Sequence, residues 1–307
     1  MEYILETNSL CKNFRKQKAL DNVSIHVKQG DIYGLIGRNG AGKTTLLRII
    51  SDLSAPTSGE YRLFGKSGKE MKKICSRMGT LIETPGYYEN MTAVENLRIK
   101  CIAMGEKDKN KPYELLKLAG LSDTGKKKVG KFSLGMKQRL GMALALVGNP
   151  DIVILDEPIN GLDPNGIIEV RDMILKLNRE QGITFIISSH ILEELSKIAT
   201  SYGIIEKGRL VEEMSSEELM AKCDERIELL TTDTAASCTV LDTMGINNYK
   251  VMNDGFIYIY DQPDCCADIT LALAAKNIGT QRIGLHNKSL ESYFVELIGE
   301  NGGNGNA

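Results

Sequence analysis

The chain has 307 residues, with 38 Lys and Arg against 40 Asp and Glu for a formal charge of −2, 42% hydrophobic and 6% aromatic residues, and no Trp. That balance excludes disordered and fibrous chains, and it provides no global field to steer the molecule onto nucleic acid or an anionic lipid surface. Single cores stop growing at about 250–300 residues, so the length suits one large domain with an appendage.

In chain order, Met1 to Leu10 alternates polar and apolar residues with neither a basic nor an apolar leader. No secretory signal is expected, and the chain is expected to stay in the cytoplasm. The first buried strand is predicted at Ile32–Ile36, running into the glycine loop 37–42 and a helix from Lys43 onward. From about 86 to 147 the pattern turns helical: Thr92 is placed to cap one helix, Pro112 to begin a second, and Leu134 to Val147 to form a third. We read a helical subdomain inserted in an α/β domain, with the lysines at 107, 109, 111, 126, 127 and 128 as a solvated face. Ile152–Leu155 and Thr184–Ile187 are continuous apolar runs, as parallel strands buried on both faces require. Ile167, Val170, Ile174 and Leu177 mark a helix between them, and this β-α-β order predicts a doubly wound α/β layer over residues 1–215.

After residue 215 the texture changes. Ser215-Ser216-Glu217-Glu218 opens a linker helix, residues 216–224, as a capping box. Strands are predicted at 226–231, 249–252, 256–260 and 282–285, and helices at 234–244, 264–276 and 289–298. The order β-α-β-β-α-β plus a helix predicts a small C-terminal α+β domain, residues 225–298, of ferredoxin-like pattern, with Asn253-Asp254-Gly255 turning between its middle strands. Residues 299–307, rich in Gly and Asn, have nothing to bury and are expected to be disordered. The seven Cys are odd in number and lack C-x-x-C spacing, which argues against a disulfide framework and against zinc. No stretch reaches the roughly 20 apolar residues of a bilayer crossing.

Three segments carry chemistry. Gly37-Arg38-Asn39-Gly40-Ala41-Gly42-Lys43-Thr44 satisfies G-x-x-x-x-G-K-[ST], the P-loop of NTPases. Its backbone N–H groups point at phosphate oxygens, Lys43 reaches the β- and γ-phosphates, and the Thr44 hydroxyl ligates Mg²⁺; Thr45 completes the nucleotide-binding set. Asp156 and Glu157 end a buried apolar run, where adjacent carboxylates are costly unless they face a cation or a cleft. A Mg²⁺–nucleotide site supplies both: Asp156 holds the metal, and Glu157 polarises the attacking water as general base.

Phe132-Ser133-Leu134-Gly135-Met136-Lys137-Gln138-Arg139 before a helix, and His190 after the strand Thr184–Ser189, complete a set that resembles ABC-type ATP-binding subunits over about residues 2–215. The resemblance implies that two copies sandwich two ATP molecules, each between one P-loop and the other copy's signature segment. Ser133 and Gly135 take the signature's contacting positions, while Phe132, Leu134 and Met136 depart from the usual L-S-G-G-Q. It implies further that His190 is the switch histidine bonding the γ-phosphate and the attacking water, that Asp163 communicates across the dimer, and that Phe14 stacks on adenine. Glu83 stands where most of the family has a glutamine touching Mg²⁺. That glutamate, with residues 133–140 and 157–164, is most similar to the bacitracin-resistance and lantibiotic-immunity group. The function implied is ATP hydrolysis driving a separate membrane permease that expels a peptide antibiotic, with the chain peripheral to the inner face of the membrane. Export of another substrate such as a drug, or ligand sensing by the C-terminal domain, stays open. A ribosome- or DNA-directed role is disfavoured by the single unsplit cassette and the lack of basic excess.

Overall fold

The computed structural model describes the chain except residues 1–2, 16, 69, 71–73, 84–85, 224–225, 262–264, 287–289 and 303–307. It divides into two compact units, Met1–Ser216 and Glu217–Ala307.

Ahead of the expected first strand lies an antiparallel sheet. β1 (Tyr3–Phe14) pairs with β2 (Gln17–Val23) and β3 (His26–Lys28). Its register slips against β2 at Leu10/Lys12 and again at Lys12/Asn13, so the alternation of Met1 to Leu10 breaks off midway along the strand. The fully buried β4 (Ile32–Ile36) then runs into the glycine loop and α1 (Lys43–Ile50), and β5 (Ser58–Leu63) returns to pair with β1.

β6 (Met78–Leu81) leads into three helices, α2 (Ala93–Met104), α3 (Lys111–Leu118) and α4 (Leu134–Ala145). Thr92 starts α2 through a reciprocal capping box: its hydroxyl accepts from Glu95 N–H at 3.3 Å and its own N–H donates to Glu95 Oε2 at 2.6 Å. The chain then alternates β7 (Ile152–Asp156), α5 (Pro164–Gln181), β8 (Thr184–Ser189), α6 (Leu192–Ser196), β9 (Ser201–Glu206) and β10 (Arg209–Ser215). The six-stranded sheet has the order β10-β9-β4-β8-β7-β6, with β10 alone antiparallel to its neighbour. Strands β4, β7 and β8 are buried at every position, which is why they read as unbroken apolar runs.

One carboxylate ties the two sheets together. Glu213 of β10 accepts from His26 N–H and from the Tyr33 hydroxyl, both at 2.8 Å through Oε1, while its Oε2 lies 2.9 Å from His26 Nδ1. Tyr33 is fully buried, and burial together with the neighbouring Glu213 pushes its hydroxyl pKa well up, so it remains a donor.

In the second unit, α7 (Ser216–Cys223) is followed by β11 (Arg226–Thr231), α8 (Thr234–Thr243), β12 (Tyr249–Val251), β13 (Ile257–Ile259), α9 (Cys266–Ala275) and β14 (Thr280–His286). All pairings are antiparallel in the order β12-β13-β11-β14, the arrangement of a split β-α-β fold. Its core gathers Ile227, Leu229, Leu241, Ile257, Ile259, Ile269 and Leu273. The last helix, α10 (Leu290–Gly302), continues past the expected end of order. Residues 299–302 of the stretch expected to be disordered are therefore helical, and 303–307 lie outside the described residues.

Candidate nucleotide-binding site

Gly42 caps α1 at φ +111°, in left-handed conformation, and a Cβ there would stand 2.7 Å from the Ala19 carbonyl oxygen. A Cβ on Gly37 would stand 2.4 Å from the Ile205 carbonyl oxygen. Both positions therefore exclude side chains, and the loop wraps back with its N–H groups inward at the start of a helix, the ready-made place for an anion.

The loop closes one wall of a cavity of about 610 Å³. Arg38, Asn39, Gly40, Gly42, Lys43, Thr44 and Thr45 line it, with Glu157 at one end; Gly37 and Ala41 shape the loop without lining the cavity. Phe14 is on its wall and half-exposed rather than buried in the core.

The charges are arranged in a chain of contacts. Lys43 is 5% exposed and uses its ammonium on the Gly37 carbonyl at 2.7 Å, the Arg38 carbonyl at 3.3 Å and Glu157 Oε1 at 3.1 Å. The other Glu157 oxygen, Oε2, lies 2.7 Å from His190 Nδ1. Glu157 itself sits at φ +48°, a conformation rare outside glycine and concentrated at functional sites. Asp156 is 7% exposed and accepts two hydroxyl bonds, from Ser188 at 2.6 Å and Thr44 at 2.8 Å. Ser188 also accepts from Glu157 N–H at 2.9 Å, so one serine positions both acids. Asp156 has no cationic partner among the described residues. A buried carboxylate compensated only by hydroxyls leaves room for a hard cation, and the Thr44 and Asp156 oxygens are the donor type that Mg²⁺ takes.

The structure brings Phe14, residues 38–45, Asp156, Glu157 and His190 to one place. It does not bring Ser133, Gly135 or Asp163 to the cavity wall. Ser133 caps α4, accepting from Met136 N–H at 3.2 Å, and Asp163 caps α5, accepting from Gly166 N–H at 3.1 Å. Glu83 does not line the cavity. Its Oε1 accepts from Arg48 Nη2 at 2.7 Å. Arg48 lies one turn beyond Thr44 on α1. Sequence reasoning missed Gln17, Lys18, Ala19, Asn160, Lys207 and Gly208, which also line the cavity. Asn160 falls inside the motif segment 157–164 without having been singled out, while the other five belong to no motif and only the fold gathers them.

The family model described as "ABC transporter" matches residues 20–160. The bacitracin transport ATP-binding protein BcrA of Bacillus licheniformis is 43% identical over 301 residues, covering 97% of this chain and 98% of its own. The lantibiotic transport ATP-binding protein SrtF of Streptococcus pyogenes is 40% identical over 210 residues, 68% of this chain and 89% of its own. Among solved structures, the dimeric post-hydrolysis state of the ATP-binding cassette MJ0796 bound to ADP and Pi aligns with TM-score 0.63 at 26% identity, covering 69% of this chain and 98% of that one. With the glycine loop, Glu157 and His190 assembled on such a scaffold, the chain belongs to the ATP-binding subunits of ABC transporters, the ATPases that work with membrane permeases.

Proposed function

We propose that this chain hydrolyses ATP to power a separate membrane permease that expels a peptide antibiotic of bacitracin or lantibiotic type. The observation that carries the ATPase reading is Glu157, fixed at the end of β7 between Lys43 and His190. The antibiotic class rests on the relatives named for bacitracin and lantibiotic transport.

In this mechanism the loop N–H groups and the N-terminus of α1 cradle the phosphates, and Lys43 turns from its carbonyl and Glu157 partners onto the β- and γ-phosphates. Glu157, freed of that ion pair, accepts a proton from the water attacking the γ-phosphorus as the bond to the β-bridging oxygen breaks, giving ADP and phosphate. His190 holds Glu157 through Nδ1 and leaves its other ring nitrogen for the γ-phosphate. Mg²⁺, held by Thr44 and Asp156, would neutralise charge on the β- and γ-oxygens. Phe14 offers its π face to the base. Because Ser133 and Gly135 do not line this chain's own cavity, a second copy supplies them, as the dimeric state of the cassette MJ0796 illustrates.

No helix among the described residues is long and apolar enough to cross a membrane, so the permease provides the crossing and holds the chain at the membrane's inner face. Co-expression of the chain with its permease in a bacitracin- or lantibiotic-sensitive host tests the proposal. Protection is expected with the native chain and lost with Glu157→Gln. Protection that persists in the variant, or is never conferred against either antibiotic class, overturns it.

A further inference from the structure

Four cations line the nucleotide cavity, and two are already neutralised within the chain, Lys18 by Asp21 and Lys43 by Glu157. Arg38, in the loop itself, and Lys207 have no acidic partner among the described residues. Lys207 occupies the two-residue turn between β9 and β10. Lys207 at φ +48° and Gly208 at φ +80° form the left-handed pair that a tight hairpin needs. The turn is bonded on two sides: Gly208 N–H donates to the Ala41 carbonyl at 2.8 Å, and Gly208's carbonyl accepts from Asp21 N–H at 2.7 Å. A Cβ on Gly208 would stand 2.7 Å from the Ala19 carbonyl oxygen, so the turn is pressed against β2 as well as against the loop. It therefore sits where the wall carrying Phe14 meets the wall carrying the phosphate loop.

Resting on the reading of this cavity as the ATP site, we propose that Lys207 contacts the ribose and α-phosphate end of the nucleotide. Lys43 and the start of α1 engage the β- and γ-phosphates, and Phe14 receives the base, which leaves the junction between them for Lys207. An uncompensated ammonium on a backbone held by two hydrogen bonds reaches a phosphate oxygen with little ordering cost beyond its own side chain.

Isothermal titration of the full chain with ATP and with ADP, for the native protein, Lys207→Met and Lys207→Arg, decides the matter. Lys207→Met is expected to weaken ATP and ADP by the same factor, roughly three- to tenfold, and to flatten the salt dependence of binding, with most affinity restored by Lys207→Arg. Melting of the nucleotide-free chain should not change. Unaltered affinity in Lys207→Met, a loss confined to ATP, or a lowered melting temperature without nucleotide overturns the contact. If the native chain binds neither nucleotide, the reading of the cavity fails and this inference falls with it. If the native chain binds both and Lys207→Met matches it, only the role of Lys207 fails.

Discussion

Glu157 is engaged at both oxygens, by Lys43 at 3.1 Å and by His190 at 2.7 Å, so two residues of the candidate site hold its carboxylate in place. In the proposed mechanism His190 is the partner that persists when Lys43 turns to phosphate, and its loss would leave Glu157 free to rotate off the attacking water. His190→Ala is therefore expected to lower ATP turnover by about 10²–10⁴-fold, the range typical of positioned acid–base groups, while ATP binding is retained. Steady-state phosphate release beside nucleotide titration checks it, and equal losses in both would place His190 in binding alone. Most of these residues were legible in the sequence because their chemistry is contiguous: the loop spans residues 37–44, and Asp156 and Glu157 are adjacent. Lys207, Gln17 and Lys18 were not, since a surface lysine or glutamine has no local pattern and only tertiary pairing sets it beside the loop.

At the scale of elements, α4 offers a clean test of action in trans. A Cβ on Gly135 would come no nearer than 3.9 Å to any neighbour counted outside its own helix, so the fold has space for alanine there. Replacing a helical glycine by alanine stabilises by roughly 0.5–1 kcal/mol. Gly135→Ala is thus expected to melt at the same temperature or slightly higher while its ATPase activity falls, because the added methyl meets the other copy's nucleotide. A variant with full activity would remove the signature from the ATP site. The Arg48–Glu83 pair is exposed on both sides, 45% and 57%, and exposed pairs contribute at most about 1 kcal/mol. Such a contact is cheap to break, so Glu83→Gln should leave melting and ATP affinity nearly unchanged and reduce antibiotic protection in cells carrying the permease. Unchanged protection would leave Glu83 without a part in coupling. The main helices were readable from their period and β4, β7 and β8 from their unbroken apolar runs, whereas the antiparallel sheet around β1, with its double register slip, was not read.

Over the whole molecule, the near-neutral charge conceals a division. Residues 217–307 carry 14 acidic against 6 basic side chains, and residues 1–216 carry 26 against 32. The nucleotide site belongs to the cationic unit, and each unit has its own core. Calorimetry of the full chain is expected to show two transitions, with ATP raising only the one that belongs to residues 1–216. Saturation at about 100 times the dissociation constant adds about 2.7 kcal/mol to the unit that binds. A single transition, or equal shifts in two, would mean that the units unfold as one.

The carboxylate of Glu213, shared by His26 and Tyr33, gives the nucleotide cavity a mechanical character. Its two walls come from different sheets, and they are riveted by that carboxylate and again where Gly208 joins Asp21 to Ala41. The cavity is a socket and not a jaw: its two walls are already bonded to one another by groups of the chain itself.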